Sequence, residues 1–359
     1  MTRTYNFSAG PATLPTEVLE EAQRELLDYQ GSGMSIMEMS HRGKHYDAVH
    51  KEAMANFREL LRIPEDYEVL FLQGGATTQF SMVPMNLLPE DGIADYINSG
   101  SWSKKAISEA KILGKVNVAA DCGSEIPTRQ ARQEELKLTP GAAYLHCCSN
   151  ETISGAQIKE FPKTEAPLVC DMSSDILSRP LKVSDFGLIY AGAQKNLGPA
   201  GVTLVIVRKD LAERVPATVP AMFRYTTHIE KESLYNTPPT FGVYLLCLVT
   251  RWLKEKGGIE AMEKLNLRKS GKLYDTIDAS DFYSGTAVPE FRSTMNVTFR
   301  LPSEELEKEF VAEAEKRGMS GLKGHRSVGG IRASIYNAFP EEGVDALIAF
   351  MKEFEASRG

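Results

Sequence analysis

Short apolar runs alternate with amphipathic segments over most of the chain. Seven runs have the length and composition of strands buried on both faces, and they cover 68–72, 92–98, 115–120, 142–146, 167–171, 188–193 and 202–208. The segment 46–62 carries apolar residues near helical spacing, and Thr16 is placed to cap a Glu-rich helix. This alternation predicts an α/β domain built on a mostly parallel seven-stranded sheet.

The pattern changes after the helix-like stretch 241–256, which Gly257 and Gly258 are expected to end. Helices and strands then alternate singly, with strands predicted at 294–301 and 329–335 and helices at 303–318 and 340–356. We therefore predict a large domain over 16–257 and a smaller C-terminal α+β domain over 258–359. The N-terminal segment 1–15 is expected to contribute near the functional site.

Composition and charge restrict the partners. The chain of 359 residues is 42% hydrophobic and 25% charged, with a formal net charge of −7. This negative net charge does not attract a nucleic acid or an anionic membrane. An anionic ligand would therefore need a local cluster of basic residues. The longest apolar stretch, 241–253, meets Arg251 well short of the ~18 residues that a membrane span requires. We predict neither a nucleic-acid nor a membrane partner.

The cysteines bear on the compartment. Their number is odd and no two have the CxxC spacing; they are Cys122, Cys147, Cys148, Cys170 and Cys247. The first residues also lack the apolar core of a secretion signal. We expect a cytoplasmic protein with no metal site.

Asp171 and Lys195 each lie near the end of an apolar run. A buried carboxylate can keep the pyridine nitrogen of pyridoxal phosphate protonated, and a lysine can hold its aldehyde as a Schiff base. Taken singly, an Asp at a strand end usually caps a turn, and a lone Lys is usually solvated. The pair is therefore a cofactor hypothesis that other residues must support.

Three further features lie after predicted strands. The glycine-rich turn Gln73–Gln79 leads into a helix and suits a phosphate, although such a turn is often only a turn. Trp102 precedes a predicted helix and can stack on a planar ring or belong to the core. Thr152 can bond a ring oxygen or cap a turn. All three fall where the loops of a parallel sheet gather.

Basic residues occur as the pairs His41-Arg42 and His325-Arg326, with Arg332 close behind the second pair. Together they can form a receptor for a dianion and a carboxylate, since Arg binds such groups bidentately. Taken singly, each is more often a surface ion-pair residue. Only folding, or a second chain, can bring the two pairs together.

The chain resembles the phosphoserine aminotransferase family, a group of fold type I enzymes that use pyridoxal phosphate. The matching motifs follow one another along nearly the whole length, and they are NFSAGPATLP, MSIMEMSHRG, LQGGATTQF, VPMNLLP, NSGSWSKKA, SNETISG, DMSSDILSRP, IYAGAQKNLGPAGVT, SLYNTPPTFG and LKGHRSVGGIRASIYNA. The resemblance implies the fold type I architecture and a transamination between L-glutamate and 3-phosphohydroxypyruvate. The products would be O-phospho-L-serine and 2-oxoglutarate, a step of L-serine biosynthesis.

For the cofactor, the resemblance implies that Lys195 forms the Schiff base, Asp171 faces the ring nitrogen, Trp102 stacks on the ring and Thr152 faces its phenolic oxygen. The cofactor phosphate would be bound by Ala76, Thr77 and Gln194, and by Asn236 and Thr237 of the partner subunit. A homodimer with shared sites follows from that last pair.

For the substrate, the resemblance implies that Arg42 binds the donor glutamate, with Ser8 nearby, and that Arg332 takes the α-carboxylate. The phosphate would be received by His41, Arg42, His325 and Arg326. Some family members carry an arginine in the glycine-rich turn where this chain has Thr77, so the receptor here has one charge fewer.

Several alternatives stay open at this point. A cysteine desulfurase would need a reactive loop cysteine, whereas these cysteines read as buried hydrophobes. An alanine–glyoxylate transaminase would have less need of the His-Arg pairs. A silent phosphate- or cofactor-binding protein is a further possibility, while a nicotinamide dehydrogenase is disfavoured because no GxGxxG occurs. A related phosphorylated hydroxy-amino acid of vitamin B6 synthesis is also a conceivable substrate.

Overall fold

The computed structural model describes residues 3–359, so the predicted N-terminal segment is described only from Arg3 onward. The strands β1 to β14 are Tyr5–Asn6, Tyr67–Leu72, Ile93–Asn98, Lys115–Asp121, Leu145–Cys148, Asn150–Glu151, Ala156–Gln157, Leu168–Asp171, Leu188–Gly192, Thr203–Arg208, Ser284–Gly285, Asn296–Arg300, Met319–Ser320 and Ile331–Ser334. The helices α1 to α10 are Thr16–Arg24, Lys44–Leu61, Gly75–Leu87, Ser101–Leu113, Lys209–Ala212, Tyr225–Glu230, Thr240–Glu255, Gly258–Asp278, Glu304–Lys316 and Glu341–Arg358. Short 3₁₀ turns cover Tyr29–Gly31, Gln133–Glu135, Val183–Asp185, Ala221–Phe223 and Pro289–Phe291.

A seven-stranded sheet forms the centre of the molecule, in the order β2-β10-β9-β8-β5-β3-β4. Strand β10 runs antiparallel to both of its neighbours, and the remaining pairs are parallel. The prediction of an α/β fold with a mostly parallel sheet of seven strands is confirmed. The carboxyl ends of the strands other than β10 therefore open onto one edge of the sheet, where ligands of such folds bind.

Burial on both faces explains the continuous apolar runs. Along β10, Leu204 and Ile206 pack into one core, whereas Val205 and Val207 pack into the other. The first core lies under α2 and α7, and the second lies under α3 and α4. A strand covered by helices on both sides has no polar face, so its sequence does not alternate.

The C-terminal part builds a second, antiparallel sheet in the order β11-β12-β14. Residues of α8, α9 and α10 pack on it around Phe299 and Phe310. Helix α8 bridges the two parts, because Ile259 joins the core of the large sheet while Leu273 joins that of the small one. The boundary at residue 257 stays a prediction.

Three local predictions need correction. Thr16 does not cap α1: it is the first helical residue, and its hydroxyl accepts a hydrogen bond from Arg3 instead. The strand expected at 142–146 begins at Leu145, although Ala143 and Tyr144 already exchange backbone hydrogen bonds with β3. Those bonds explain why the apolar pattern starts early. Trp102 lies in the first turn of α4 rather than before it.

Within the part of the chain described here, no helix combines the length and the apolar character needed to cross a membrane. Helix α7, which carries the apolar stretch around Arg251, is instead buried against the large sheet. Arg251 itself leaves that core and pairs with Glu52 on α2. The apolar run is therefore a core helix.

Candidate active site

A cavity of about 610 Å³ opens at the edge where the parallel strands end. Its wall is assembled from the N-terminal segment, the loops after five strands of the large sheet, and two residues of the C-terminal part. The lining residues are Ala9, Gly10, Pro11, Gly74, Gly75, Ala76, Thr77, Trp102, Cys148, Asn150, Thr152, Ile153, Asp171, Ser173, Ser174, Gln194, Lys195, Ala200, Gly201, His325 and Arg332. Residues far apart in sequence thus share one site of a size ordinary for small ligands.

Lys195 follows strand β9, and its amine donates a hydrogen bond to Thr152 Oγ1 at 2.7 Å. Burial is the main cause that lowers the pKa of this amine; Arg332 adds to it and the charge of Asp171 opposes it. The N-terminal segment closes over the lysine, where Ala12 N donates to Gln194 O at 2.9 Å. The amine is therefore held beside Thr152 in a state that favours deprotonation.

Asp171 is the last residue of β8 and is only 5% exposed. Its Oδ1 accepts hydrogen bonds from Ser173 N at 2.9 Å and from Ser173 Oγ at 2.6 Å. Burial raises the pKa of the carboxyl, while the Ser173 bonds and the charge of Lys195 oppose that rise. No described residue donates to Oδ2, so that oxygen is free to accept from a ligand.

Trp102 is held in place by a buried acid, Glu151. The Glu151 carboxylate accepts hydrogen bonds from Trp102 N at 3.4 Å, Ser103 N at 3.3 Å and Ser99 Oγ at 3.2 Å. It thereby satisfies free amides at the start of α4 and places a negative charge at the positive end of that helix. Burial raises the pKa of Glu151 and these hydrogen bonds oppose the rise.

The glycine-rich turn forms as its sequence indicates. Gly74 has a φ of 86°, and a Cβ at this position would lie 1.9 Å from Thr78 Oγ1, so no larger residue fits. The turn places the start of α3 at the cavity, where Ala76 and Thr77 line the wall. No described residue accepts a hydrogen bond from the amides of Ala76 and Thr77. This cradle suits a phosphate.

His325 and Arg332, which come from the C-terminal part of the chain, form another side of the cavity. Arg332 lies on β14 and donates to Thr152 O at 3.4 Å, while its buried Nε has no acceptor among the described residues. Burial is the main cause that lowers the pKa of His325, and the charges of Arg332, Arg326 and Lys105 lower it further. This side is electropositive and suits anionic groups of a substrate.

Six predicted site residues lie outside the cavity wall of the single chain described here: Ser8, His41, Arg42, Arg326, Asn236 and Thr237. Ser8 is the neighbour of the lining residue Ala9, and Arg326 is that of His325. Asn236 donates to Oε1 of Gln73, the first residue of the glycine-rich turn, at 2.8 Å. His41 has a buried Nε2 without an acceptor among residues 3–359. The fold of one chain therefore brings His325 into the cavity wall with Arg326 next to it, but neither His41 nor Arg42.

The sequence did not single out Glu151, Ser173 or Lys105. Glu is usually exposed, so nothing in the sequence marks Glu151 as buried. Ser173 follows Asp171 by two residues, a spacing at which an Asp side chain commonly bonds the backbone, and this was a usable signal. Lys105 follows Trp102 by three residues on a helix and therefore shares its face.

We call the part of the cavity lined by Trp102, Thr152, Asp171, Lys195 and the glycine-rich turn the inner half, and the part formed by His325, Arg332 and the neighbouring Arg326 the outer half. The inner half fits pyridoxal phosphate. The buried Nε1 of Trp102 has no acceptor among the residues described, and one oxygen of Asp171 is free. The Lys195 amine lies 5.5 Å from the centroid of the Trp102 ring. A carboxylate, an amine, an aromatic plane and a free-amide turn thus surround one space, as an aromatic aldehyde phosphate requires.

Comparison with protein families adds an independent finding. The family model described as "Aminotransferase class-V" matches residues 4–347. The match spans nearly the whole chain and includes both the large sheet and most of the C-terminal part.

Individual relatives are similar over their full length. A phosphoserine aminotransferase of Desulfatibacillum aliphaticivorans is 58% identical over 360 residues, which cover 99% of each chain. The crystallised phosphoserine aminotransferase of Bacillus circulans subsp. alkalophilus is 55% identical, with a TM-score of 0.96 and 99% of each chain covered. The pyridoxal-phosphate-bound phosphoserine aminotransferase of Trichomonas vaginalis is 44% identical, with a TM-score of 0.94, covering 98% of this chain and all (100%) of that one.

Proposed function

Because the chain belongs to the aminotransferase class-V family and, within it, to the phosphoserine aminotransferases, we propose that it transfers an amino group between L-glutamate and 3-phosphohydroxypyruvate. The reaction gives O-phospho-L-serine and 2-oxoglutarate, is reversible, and serves L-serine biosynthesis. One observation supports it above the others: Lys195 and Asp171 face one cavity together with the free amides of the glycine-rich turn. The electropositive side formed by His325 and Arg332 accounts for the anionic substrates.

The enzyme depends on pyridoxal phosphate. We assign Lys195 as the residue that binds the cofactor covalently and Asp171 as the partner of its ring nitrogen. Trp102 is assigned to stack on its ring, and Thr152 to face its phenolic oxygen. Its phosphate is assigned to the residues at the glycine-rich turn and β9, namely Ala76, Thr77 and Gln194. When bound, the cofactor supplies the aldehyde that carries the amino group and the ring that delocalises the electrons released at the substrate Cα.

Lys195 acts as the base and acid of the reaction. Burial lowers the pKa of its amine and so favours the neutral form, which can take the proton from the substrate Cα. The hydrogen bond to Thr152 Oγ1 fixes where the amine lies before substrate enters. Once protonated, the same amine can give the proton back. Lys195 thereby serves as the base and then as the acid, in the forward and in the reverse reaction.

Asp171 supplies a fixed negative charge. The reaction requires its ionised form, which Ser173 stabilises by two hydrogen bonds against the cost of burial. Trp102, anchored through Glu151, restricts the plane in which a ring can lie. These residues bind and orient, and the sheet beneath them keeps their distances constant.

At the electropositive side, we assign Arg332 to the substrate α-carboxylate, which its planar guanidinium can bind bidentately. His325 and Arg326 receive the distal phosphate or carboxylate. Ser8 lies next to the cavity wall on the N-terminal segment and is assigned a place near the donor glutamate. One receptor thereby takes both a monoanionic and a dianionic side chain.

We further propose a cytoplasmic homodimer with shared active sites. His41, Arg42, Asn236 and Thr237 lie outside the cavity of their own chain, and each is assigned to the site of the partner chain. Arg42, which carries an exposed charge, is assigned to the donor glutamate and, with His41, to the phosphate. The five buried, unpaired cysteines suit a reducing compartment.

The proposal is tested by the visible spectrum and the substrate range of the purified protein. We expect a yellow protein whose absorbance borohydride abolishes, and whose turnover of 2-oxoglutarate with phosphoserine far exceeds that with L-alanine. A colourless protein, or a protein that prefers alanine, would overturn the proposal. Mass spectrometry of the borohydride-reduced protein should locate the cofactor on Lys195.

A further inference from the structure

A cation that no assigned role uses, Lys105, lies beside the cavity-lining residue Trp102, although it is not itself part of the cavity wall. Lys105 lies on α4, three residues after Trp102, so both side chains share one face of the helix. Its Nζ lies 4.5 Å from the centroid of the Trp102 ring. Lys195 approaches the same ring at 5.5 Å. Trp102 is thus flanked by the amine assigned to the chemistry and by a second amine with no assigned partner.

Lys105 shares its surroundings with the residues of the electropositive side. Its charge, together with those of Arg332 and Arg326, lowers the pKa of His325. Lys105 and these two arginines have no carboxylate within ion-pair distance among residues 3–359, although many other cations of the chain do. Arg292, for example, pairs with Asp278 at 2.6 Å. Arg332 lines the cavity, Arg326 follows the lining residue His325, and Lys105 adjoins the lining residue Trp102, so these unpaired cations are arranged for an external anion.

The part of the cavity wall formed by the glycine-rich turn supplies no cation that duplicates this charge. The glycine-rich turn presents the neutral side chains of Ala76 and Thr77 and offers backbone amides. Lys105 is exposed, so its flexible stem is free to bring the ammonium toward a bound anion. The extra charge that a dianion needs is therefore available from α4.

We propose that Lys105 is a specificity-determining residue that favours substrates ending in a phosphate dianion over substrates ending in a carboxylate. The inference rests on the proposed function and names the residue that separates its two substrates. A point charge attracts a dianion about twice as strongly as a monoanion at equal distance, so removing it penalises phosphoserine more than glutamate. Arg332 is not expected to discriminate in this way, because both substrates have the same α-carboxylate.

The test compares Lys105→Met with Lys104→Met in the holoenzyme. Lys104 is the exposed neighbour of Lys105 and projects from a different face of α4, so it controls for lost surface charge. Each half-reaction is followed separately by the change in cofactor absorbance, with phosphoserine or with glutamate as amino donor. Thermal unfolding of each variant verifies that the fold is intact.

For Lys105→Met we expect kcat/KM for phosphoserine to fall about five- to tenfold, mainly through KM, and that for glutamate to fall about twofold. Lys104→Met should change neither by more than about twofold. Lys105→Arg should restore most of the phosphoserine value, since it restores the charge. Added salt should reduce the phosphoserine preference of the wild type more than that of Lys105→Met.

Three results would overturn the inference: equal losses for both substrates, equal effects of Lys104→Met and Lys105→Met, or no recovery in Lys105→Arg. Failure of the proposed function has a different signature. In that case the wild-type protein itself would not accept an amino group from phosphoserine.

Discussion

The two halves of the cavity differ in how the chain builds them. In the inner half, Asp171 ends β8, Lys195 follows β9 and Thr152 follows β6, and each is fixed by a hydrogen bond within the chain. In the outer half, His325 lies in a loop, and Arg326 next to it is exposed. The residues assigned to proton transfer and to the cofactor ring all come from one chain, whereas the outer half of a single chain lacks the His41-Arg42 pair.

This difference corresponds to the demands on each half. The inner half holds one unchanging group, and proton transfer requires distances that a packed sheet can maintain. The outer half must accept both a carboxylate and a phosphate. Cations on loops and long flexible side chains can adapt to both. Changes in the inner half should therefore affect all substrates equally, whereas changes to the residues that receive the distal phosphate or carboxylate should separate them.

Lys195→Ala should have the largest effect. Because it removes both the covalent attachment and the base, turnover should fall by about 10⁴-fold with every substrate. Steady-state kinetics with phosphoserine and with glutamate measure the loss, and the borohydride-sensitive absorbance should disappear. Lys195→Arg keeps a positive charge and should be equally inactive. A variant with substantial turnover would show that another amine performs the chemistry.

Asp171→Asn should have the next largest effect. An amide cannot supply the negative charge that stabilises a protonated ring nitrogen, so kcat should fall about 10²- to 10³-fold for both substrates. The melting temperature should change little, because burial already disfavours the ionised form of Asp171 in the wild type, so a neutral amide at this position is not more costly to bury. Ser173→Ala, which removes one donor to Asp171, should lower kcat less. A full rate in Asp171→Asn would assign the ring nitrogen to another group.

Glu151→Gln should have a smaller effect and should not separate the substrates. The amide keeps the shape of the side chain but loses the negative charge at the start of α4, so Trp102 is held less firmly. We expect a loss of about three- to tenfold in kcat/KM and a melting temperature lower by about 2 °C. Glu160→Gln, at an exposed acid nearby, is the matched control and should be silent. Faster release of the cofactor would locate the defect at Trp102.

The sequence predicted the fold well because its strands are buried on both faces and read as unbroken apolar runs. It also indicated that Asp171 and Lys195 lie at strand ends, since Asp171 ends one such run and Lys195 lies two residues after another. The family resemblance proved correct, and the cofactor and reaction it implied follow from it. The strand near residue 145 was placed early because Ala143 and Tyr144 bond to β3 outside the assigned strand.

The predictions that failed, or could not be made, depend on tertiary contacts. Glu151 is buried against α4, where it accepts a hydrogen bond from Ser103, a residue 48 positions away in the sequence. Arg332 meets Thr152 across 180 residues. Thr16 was predicted to cap a helix, but its hydroxyl accepts a hydrogen bond from Arg3 instead. Local patterns contain no information on such partners.

In the proposed dimer, one chain supplies the residues for proton transfer, and Arg42 of the other chain completes the outer half of the same site. A mixed dimer tests this arrangement directly. One chain carries Lys195→Ala and the other Arg42→Ala, and different affinity tags allow dimers containing both chains to be purified. Each homodimer should be impaired with phosphoserine, the first in the chemistry and the second in binding.

In the mixed dimer, one site combines both defects, while the other joins an intact Lys195 with an intact Arg42. Turnover of phosphoserine should therefore rise to about half of the wild-type value per dimer, since one of two sites is restored. If Arg42 instead serves its own chain, no intact site forms. A mixed dimer no more active than the Arg42→Ala homodimer would rule out a site shared between the two chains.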